Sequence, residues 1–94
     1  MEAPSWVSYR VEVSSPAQRN LSKLPPKAYL AVAEFLAGPL GKEPRRVGKP
    51  LRNEFKGMYS ARVGVYRIIY EIDDVVRVVN VVRVGYRADV YRPD

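Results

Sequence analysis

The chain has 94 residues, no cysteine and no histidine, and 16 Lys and Arg against 10 Asp and Glu, a net charge of +6. A chain this short buries only about 60% of the surface its unfolded form exposes, so residues 1–94 are expected to form one domain around one core. Without His or Cys the imidazole base, the thiolate nucleophile and the usual zinc ligands are excluded together and no cofactor is expected, while the basic balance points to a polyanion or an acidic protein as partner.

Residues 1–7 read as a loose leader around Pro4, with no positive start followed by an apolar run. No segment is long enough to cross a bilayer, and a soluble, cytoplasmic protein is expected. From Ser8 to Val13, polar Ser8, Arg10 and Glu12 alternate with Tyr9, Val11 and Val13, the pattern of a half-buried strand. Ser14 or Ser15 then caps a short helix with Pro16 in its first turn, which presents Ala17, Leu21 and Leu24 and ends before Pro25-Pro26. A second helix is predicted over Pro26–Ala37, with Ala28, Val32 and Phe35 along one stripe and Gly38-Pro39 as its stop.

Between Gly38 and Gly57 lies one long irregular segment that holds Lys42, Arg45, Arg46, Lys49, Arg52 and Lys56 against only Glu43 and Glu54. Its Pro and Gly residues exclude a continuous helix or a central strand, although Leu51–Phe55 suits a turn of helix. Loops of this length in small domains are more often functional than idle.

Met58–Ile72 reads as a β-hairpin turning at Val63-Gly64. That turn pairs Arg62 with Val65, Ala61 with Tyr66, and Ser60 with Arg67. A second tight turn at Asp73-Asp74 continues the ladder into Val75–Val84, with Asn80 across from Arg67 and Val81 across from Tyr66. One face then carries Tyr59, Ala61, Val63, Tyr66, Ile68, Tyr70, Ile72, Val79 and Val81, a core. The other carries Ser60, Arg62, Arg67, Glu71 and Asn80, interleaved with Val65, Ile69, Val76 and Val78. Taken alone, the arginines are the solvated side of an antiparallel sheet. The adjacent Asp73 and Asp74 are turn chemistry rather than a catalytic dyad, and Glu71 offsets nearby arginines. The expected class is α+β: an N-terminal strand, a two-helix hairpin and a three-stranded antiparallel meander, with the helices on one face of the sheet.

This order, with KPLRNEFKGMYSARVGVYRIIYEID in its middle and RVGYRADVY at its end, resembles the RelE branch of the RelE/ParE toxin superfamily over Tyr9–Tyr91. The resemblance implies a type II toxin that cleaves messenger RNA on the ribosome and is held inactive by a RelB-like antitoxin. Carried over by position, Arg67 matches the strand arginine at the scissile phosphate, Arg87 the arginine after the last strand, Tyr91 the tail tyrosine and Arg62 one of two strand lysines. Ser60 stands where the other lysine would be, and Tyr86 where relatives often have His. Lys49, Arg52, Lys56, Ser60, Asn80 and Tyr86 are the expected RNA contacts.

Cleavage by the neighbouring 2′-OH needs that hydroxyl deprotonated, the charge on phosphorus stabilised and the leaving 5′-oxygen protonated. Guanidinium groups suit the second task and serve the first badly. The expectation is a metal-independent site relying on positioning and charge, with Lys56 or Tyr91 moving protons. Two rivals stand beside it: a ParE-like inhibitor of gyrase, which would share the fold but whose members generally lack this basic and tyrosine set, and a non-catalytic RNA- or ribosome-binding module, for which the +6 charge is enough. For an antitoxin helix, Ile69, Val78 and the outer helix faces offer apolar ground.

Overall fold

The alternation over Ser8–Val13 becomes β1, Arg10–Val13, in the computed structural model, which describes residues 8–86. The predicted leader and the tail after Tyr86 lie outside the described residues. Ser14 caps α1, Ser15–Ser22, its Oγ accepting from the Ala17 backbone N–H at 3.3 Å, with Pro16 in the first turn. Helix α2 spans Pro26–Ala37 as predicted and gives way at Gly38 to a single short helix α3, Pro39–Lys42.

The remaining strands are β2, Gly48–Pro50; β3, Tyr59–Val63; β4, Tyr66–Asp73; and β5, Val78–Tyr86. They form one five-stranded sheet in the order β1-β5-β4-β3-β2, with β1 parallel to β5 and the other pairs antiparallel. The meander is therefore as predicted, and β2 is an addition found inside the segment read as irregular. Its Pro50 removes a donor, which an edge strand tolerates. Asn53–Phe55 adds a single 3₁₀ turn where a turn of helix was expected.

Two predicted turns are corrected. The β3–β4 turn is Gly64-Val65, so Val63 pairs with Tyr66 and Arg62 with Arg67. Gly64 has φ +60°, and Val65 does not share the positive sign, the pattern of a turn with glycine in its first central position. The β4–β5 connection is Asp74–Arg77, longer than the tight turn expected. Asp73 Oδ1 accepts from the backbone N–H groups of Val75 and Val76 at 2.9 and 3.3 Å, and Arg77 takes φ 59°. Consequently Arg67 lies across from Gly85, and Asn80 across from Glu71 rather than Arg67.

Helices α1–α3 cover one face of the sheet. Ala17, Val32 and Leu40 are buried there with Ala61, Ile68, Tyr70, Val79, Val81 and Val84. Each larger side chain in this set contributes about 1.5–3 kcal/mol by burial. Beyond Val13 no strand among the described residues lies beside the outer edge of β5, and α1 supplies partners there. Ser14 N–H donates to Val81 O at 2.9 Å, and Asn20 Oδ1 accepts from Val84 N–H at 3.0 Å.

Candidate nucleic-acid interface

Strand alternation and the observed register assign the face away from the helices row by row. Arg62, Arg67 and Gly85 make one row; Lys49, Ser60, Ile69 and Arg83 make the next. The row after that is Glu71, Asn80 and Glu12, followed by Asp73, Val78 and Arg10. The open face thus runs from cationic to acidic along the strands.

At the cationic end, Arg46, Val47, Gly48, Lys49, Ser60, Arg62 and Arg67 line an open cleft of about 280 Å³. Among the described residues its lining holds no carboxylate. Arg62 is exposed, Arg67 half-buried and Ser60 buried at 7% exposure. Arg67 Nε is buried without a hydrogen-bond partner among the described residues, a donor facing the cost of desolvation until an acceptor arrives. Gly85, directly opposite Arg67, places no side chain over it.

The segment carrying Arg46 and Lys49 is held from two directions. From within the core, Tyr70 O–H donates to Pro44 O at 2.5 Å, and its ring stacks on Tyr59 at 5.7 Å between centroids. Burial, with Tyr59 as a lesser cause, pushes the Tyr70 hydroxyl up to about 12, so it remains a donor at neutral pH. Only glycine fits at position 48, because a Cβ there would meet Tyr70 Oη at 2.1 Å and Ser60 O at 2.9 Å. From the side, Arg45 donates to both carboxylate oxygens of Asp74, at 3.2 and 2.7 Å. Tyr9 O–H also donates to Asp74, and the Arg77 guanidinium lies 4.3 Å from the centre of the Tyr9 ring. The Arg45 hydrogen bonds and then that of Tyr9 hold the Asp74 carboxyl below the usual carboxylate range, and the same contacts raise Arg45 further.

Of the residues proposed from sequence, the cleft brings together Lys49, Ser60, Arg62 and Arg67. Arg52 and Lys56 flank the exposed 3₁₀ turn and are not part of the lining. Asn80 sits in a separate groove of about 740 Å³ with Glu12, Glu71, Asp73 and Asp74. Tyr86 pairs across from Tyr66, on the face opposite Arg67, and meets the Tyr66 ring edge-on at 6.2 Å. Arg87 and Tyr91 lie outside the described residues. Ile69 and Val78, expected to offer apolar ground, are 2% and 8% exposed, whereas Tyr29 and Leu30 on α2 are open at 45% and 61%.

Sequence reasoning did not find Arg83. Alternation along β5 puts it with Val79 and Val81 on the core face. A bulge at Val82 adds one residue between the partners of Ile69 and Tyr70 and turns Arg83 to the open side.

Comparison with known proteins bears on this arrangement. The family model described as the ParE toxin of type II toxin-antitoxin system, parDE, matches residues 11–91. Toxin RelG of Mycobacterium tuberculosis is 52% identical over 84 residues, spanning 89% of this chain and 97% of that protein. Toxin RelE of the same organism is 44% identical over 84 residues, spanning 89% of this chain and 87% of its own. Among solved structures, the toxin-antitoxin complex RelBE2 from Mycobacterium tuberculosis contains a chain that superposes with TM-score 0.82 at 50% identity, over 85% of this chain and 99% of that one.

Proposed function

The chain belongs to the ParE toxin family of type II toxin-antitoxin systems and is a RelE-type toxin, and from that premise we propose that it is an endoribonuclease that cuts messenger RNA on the ribosome and thereby stops translation in the cytoplasm. The observation that carries this reading is the direct pairing of Arg62 with Arg67 on the open face, beside Lys49 and Ser60 in one cleft.

In the proposed reaction the 2′-oxygen attacks the adjacent phosphorus, the P–O5′ bond breaks, and the products are a 2′,3′-cyclic phosphate and a 5′-hydroxyl. Arg62 and Arg67 neutralise the charge that builds on the phosphoryl oxygens, a fixed electrostatic contribution that needs no proton exchange. Arg67 Nε gains from the phosphodiester the acceptor that it lacks among the described residues. Arg87, placed by the resemblance after the last strand, joins the arginines in answering the phosphoryl charge, and Tyr91, the tail tyrosine of the resemblance, is assigned the proton movement. Lys56 is set aside as the proton carrier because it does not line the cleft. The ribosome supplies the alignment of the 2′-oxygen with the bond to be broken, which compensates for the missing imidazole.

The names RelG and RelE among the relatives, together with a cationic cleft, support this reading over a gyrase inhibitor. The RelBE2 complex likewise supports a RelB-like antitoxin as partner. The test is cleavage of messenger RNA on programmed ribosomes by wild type, Arg67→Ala and Arg62→Ala. Each variant is expected to lose on the order of 10²–10³ in rate while remaining folded. Ribosomes arrested without cuts in their messenger, or undiminished cutting by Arg67→Ala, would remove the proposal.

A further inference from the structure

The cleft carries more positive charge than one phosphodiester can answer. Arg46 is balanced by Glu43, with Nη1 to Oε1 at 3.2 Å. Among the described residues, Lys49, Arg62 and Arg67 have no ion-pair partner, and no carboxylate lines the cleft with them. A single diester brings one negative charge and would leave the equivalent of two cations facing each other.

Their placement divides them. Arg62 and Arg67 are direct partners across β3 and β4. Lys49 is the partner of Ser60, one side-chain repeat back along β3 and one strand further out. Two residues of strand rise separate the rows by about 7 Å. That spacing suits neighbouring phosphates of an extended single strand, and is too wide for two phosphoryl groups sharing one oxygen.

We propose that the cleft is a two-phosphate site, in which Arg62 and Arg67 hold one phosphodiester and Lys49 holds the next one along the same strand. This deepens the nuclease reading by giving the RNA a direction: it passes obliquely over β3 from the arginine row toward the β2 edge. It steps one row toward Glu71, Asn80 and Glu12 and leaves the sheet sideways over β2 before reaching them. Lys49, as a compact point charge on a long stem, then sets which phosphate enters the arginine pair, because it anchors the neighbouring one.

The test is equilibrium binding of deoxynucleotide probes, which lack the 2′-oxygen and so report binding whether or not the protein is a nuclease. The probes are deoxythymidine 5′-monophosphate, the 5′-phosphorylated deoxythymidine dinucleotide and inorganic pyrophosphate. The dinucleotide is expected to bind about tenfold or more tighter than the mononucleotide, the scale of one further charged hydrogen bond. Its affinity should fall with log salt at a slope steeper by about 0.7, as for one more phosphate contact on a single strand. Lys49→Gln should bring the dinucleotide down to the mononucleotide's affinity and slope, whereas Arg67→Ala should weaken both probes.

Equal affinities for the two nucleotides would overturn the proposal. So would a Lys49→Gln variant that weakens both probes alike, or pyrophosphate binding tighter than the dinucleotide, which would make the cleft a diphosphate site. A dinucleotide preference that depends on Lys49, found in a protein that cuts no ribosome-bound messenger, would remove the nuclease reading and leave the two-phosphate site standing.

Discussion

Tyr70 is the residue on which the cleft's geometry turns, because its buried hydroxyl reaches Pro44 O while its tip fills the space beside Gly48. Removing that hydroxyl with Tyr70→Phe leaves a carbonyl unsatisfied, at a cost of about 1–3 kcal/mol. Gly48→Ala forces a methyl group against the same hydroxyl and is expected to cost a similar 1–3 kcal/mol, about the usual penalty for overpacking. Urea unfolding of the single and double variants checks both, with the double losing less than the sum because the clash partly disappears. The pH sign follows from the raised hydroxyl. The neutral form is favoured in the folded state, so its contribution is complete below about 10, the ordinary tyrosine value. It is lost as pH rises through about 12. Tyrosinate absorbance tracked beside unfolding should show Tyr70 titrating last. None of this was legible in the sequence, where Tyr70 is one aromatic in an alternating strand. Its assignment to the core was legible, because alternation alone decides which face a strand residue occupies.

Among the elements, α1 and α2 were readable because their ends carry chemistry, with Ser14 as a cap, Pro16 and Pro26 in first turns and Gly38 as a stop, whereas α3 lies in the segment read as irregular. The strand faces were readable even though both turns were misplaced. Moving the β3–β4 turn by one residue moves each partner by two, which changes the register and preserves the faces. So Arg62 and Arg67 share a face in either register. The bulge at Val82 is different, since it shifts the count by one and reverses every residue after it. No local signal marks it in a run of valines. Deleting Val82 should therefore remove the bulge and leave Arg83 on the open face and Val84 in the core, because plain alternation then runs unbroken from Val81. The expected result is that the deletion, like Val82→Ala, still unfolds in one cooperative thermal transition by circular dichroism, and loss of that transition would mean that the faces do reverse. A milder test of the same strand is Asn20→Ala, which strips the acceptor from Val84 N–H and should cost about 1–3 kcal/mol.

For the whole molecule, the net charge of +6 conceals a polarity that composition could not reveal. The arginine row and the Glu71 row lie on the same face and are separated by the four residue steps from Arg67 to Glu71, about 14 Å of strand. An exposed carboxylate at that distance opposes a phosphate held by Arg67. The opposition is about 0.3 kcal/mol at the dielectric of water and about 1.2 kcal/mol at the effective value near a protein surface. Glu71→Gln should therefore raise the affinity for single-stranded RNA by about two- to eightfold where screening is weak. The Debye length is about 30 Å at 0.01 M salt and about 8 Å at physiological salt, so the gain should fade as salt approaches the physiological value. A fluorescence titration of wild type and Glu71→Gln across that range checks it. A gain that persisted undiminished at physiological salt would mean that Glu71 touches the RNA directly, and the strand would then run down the sheet rather than off its β2 edge.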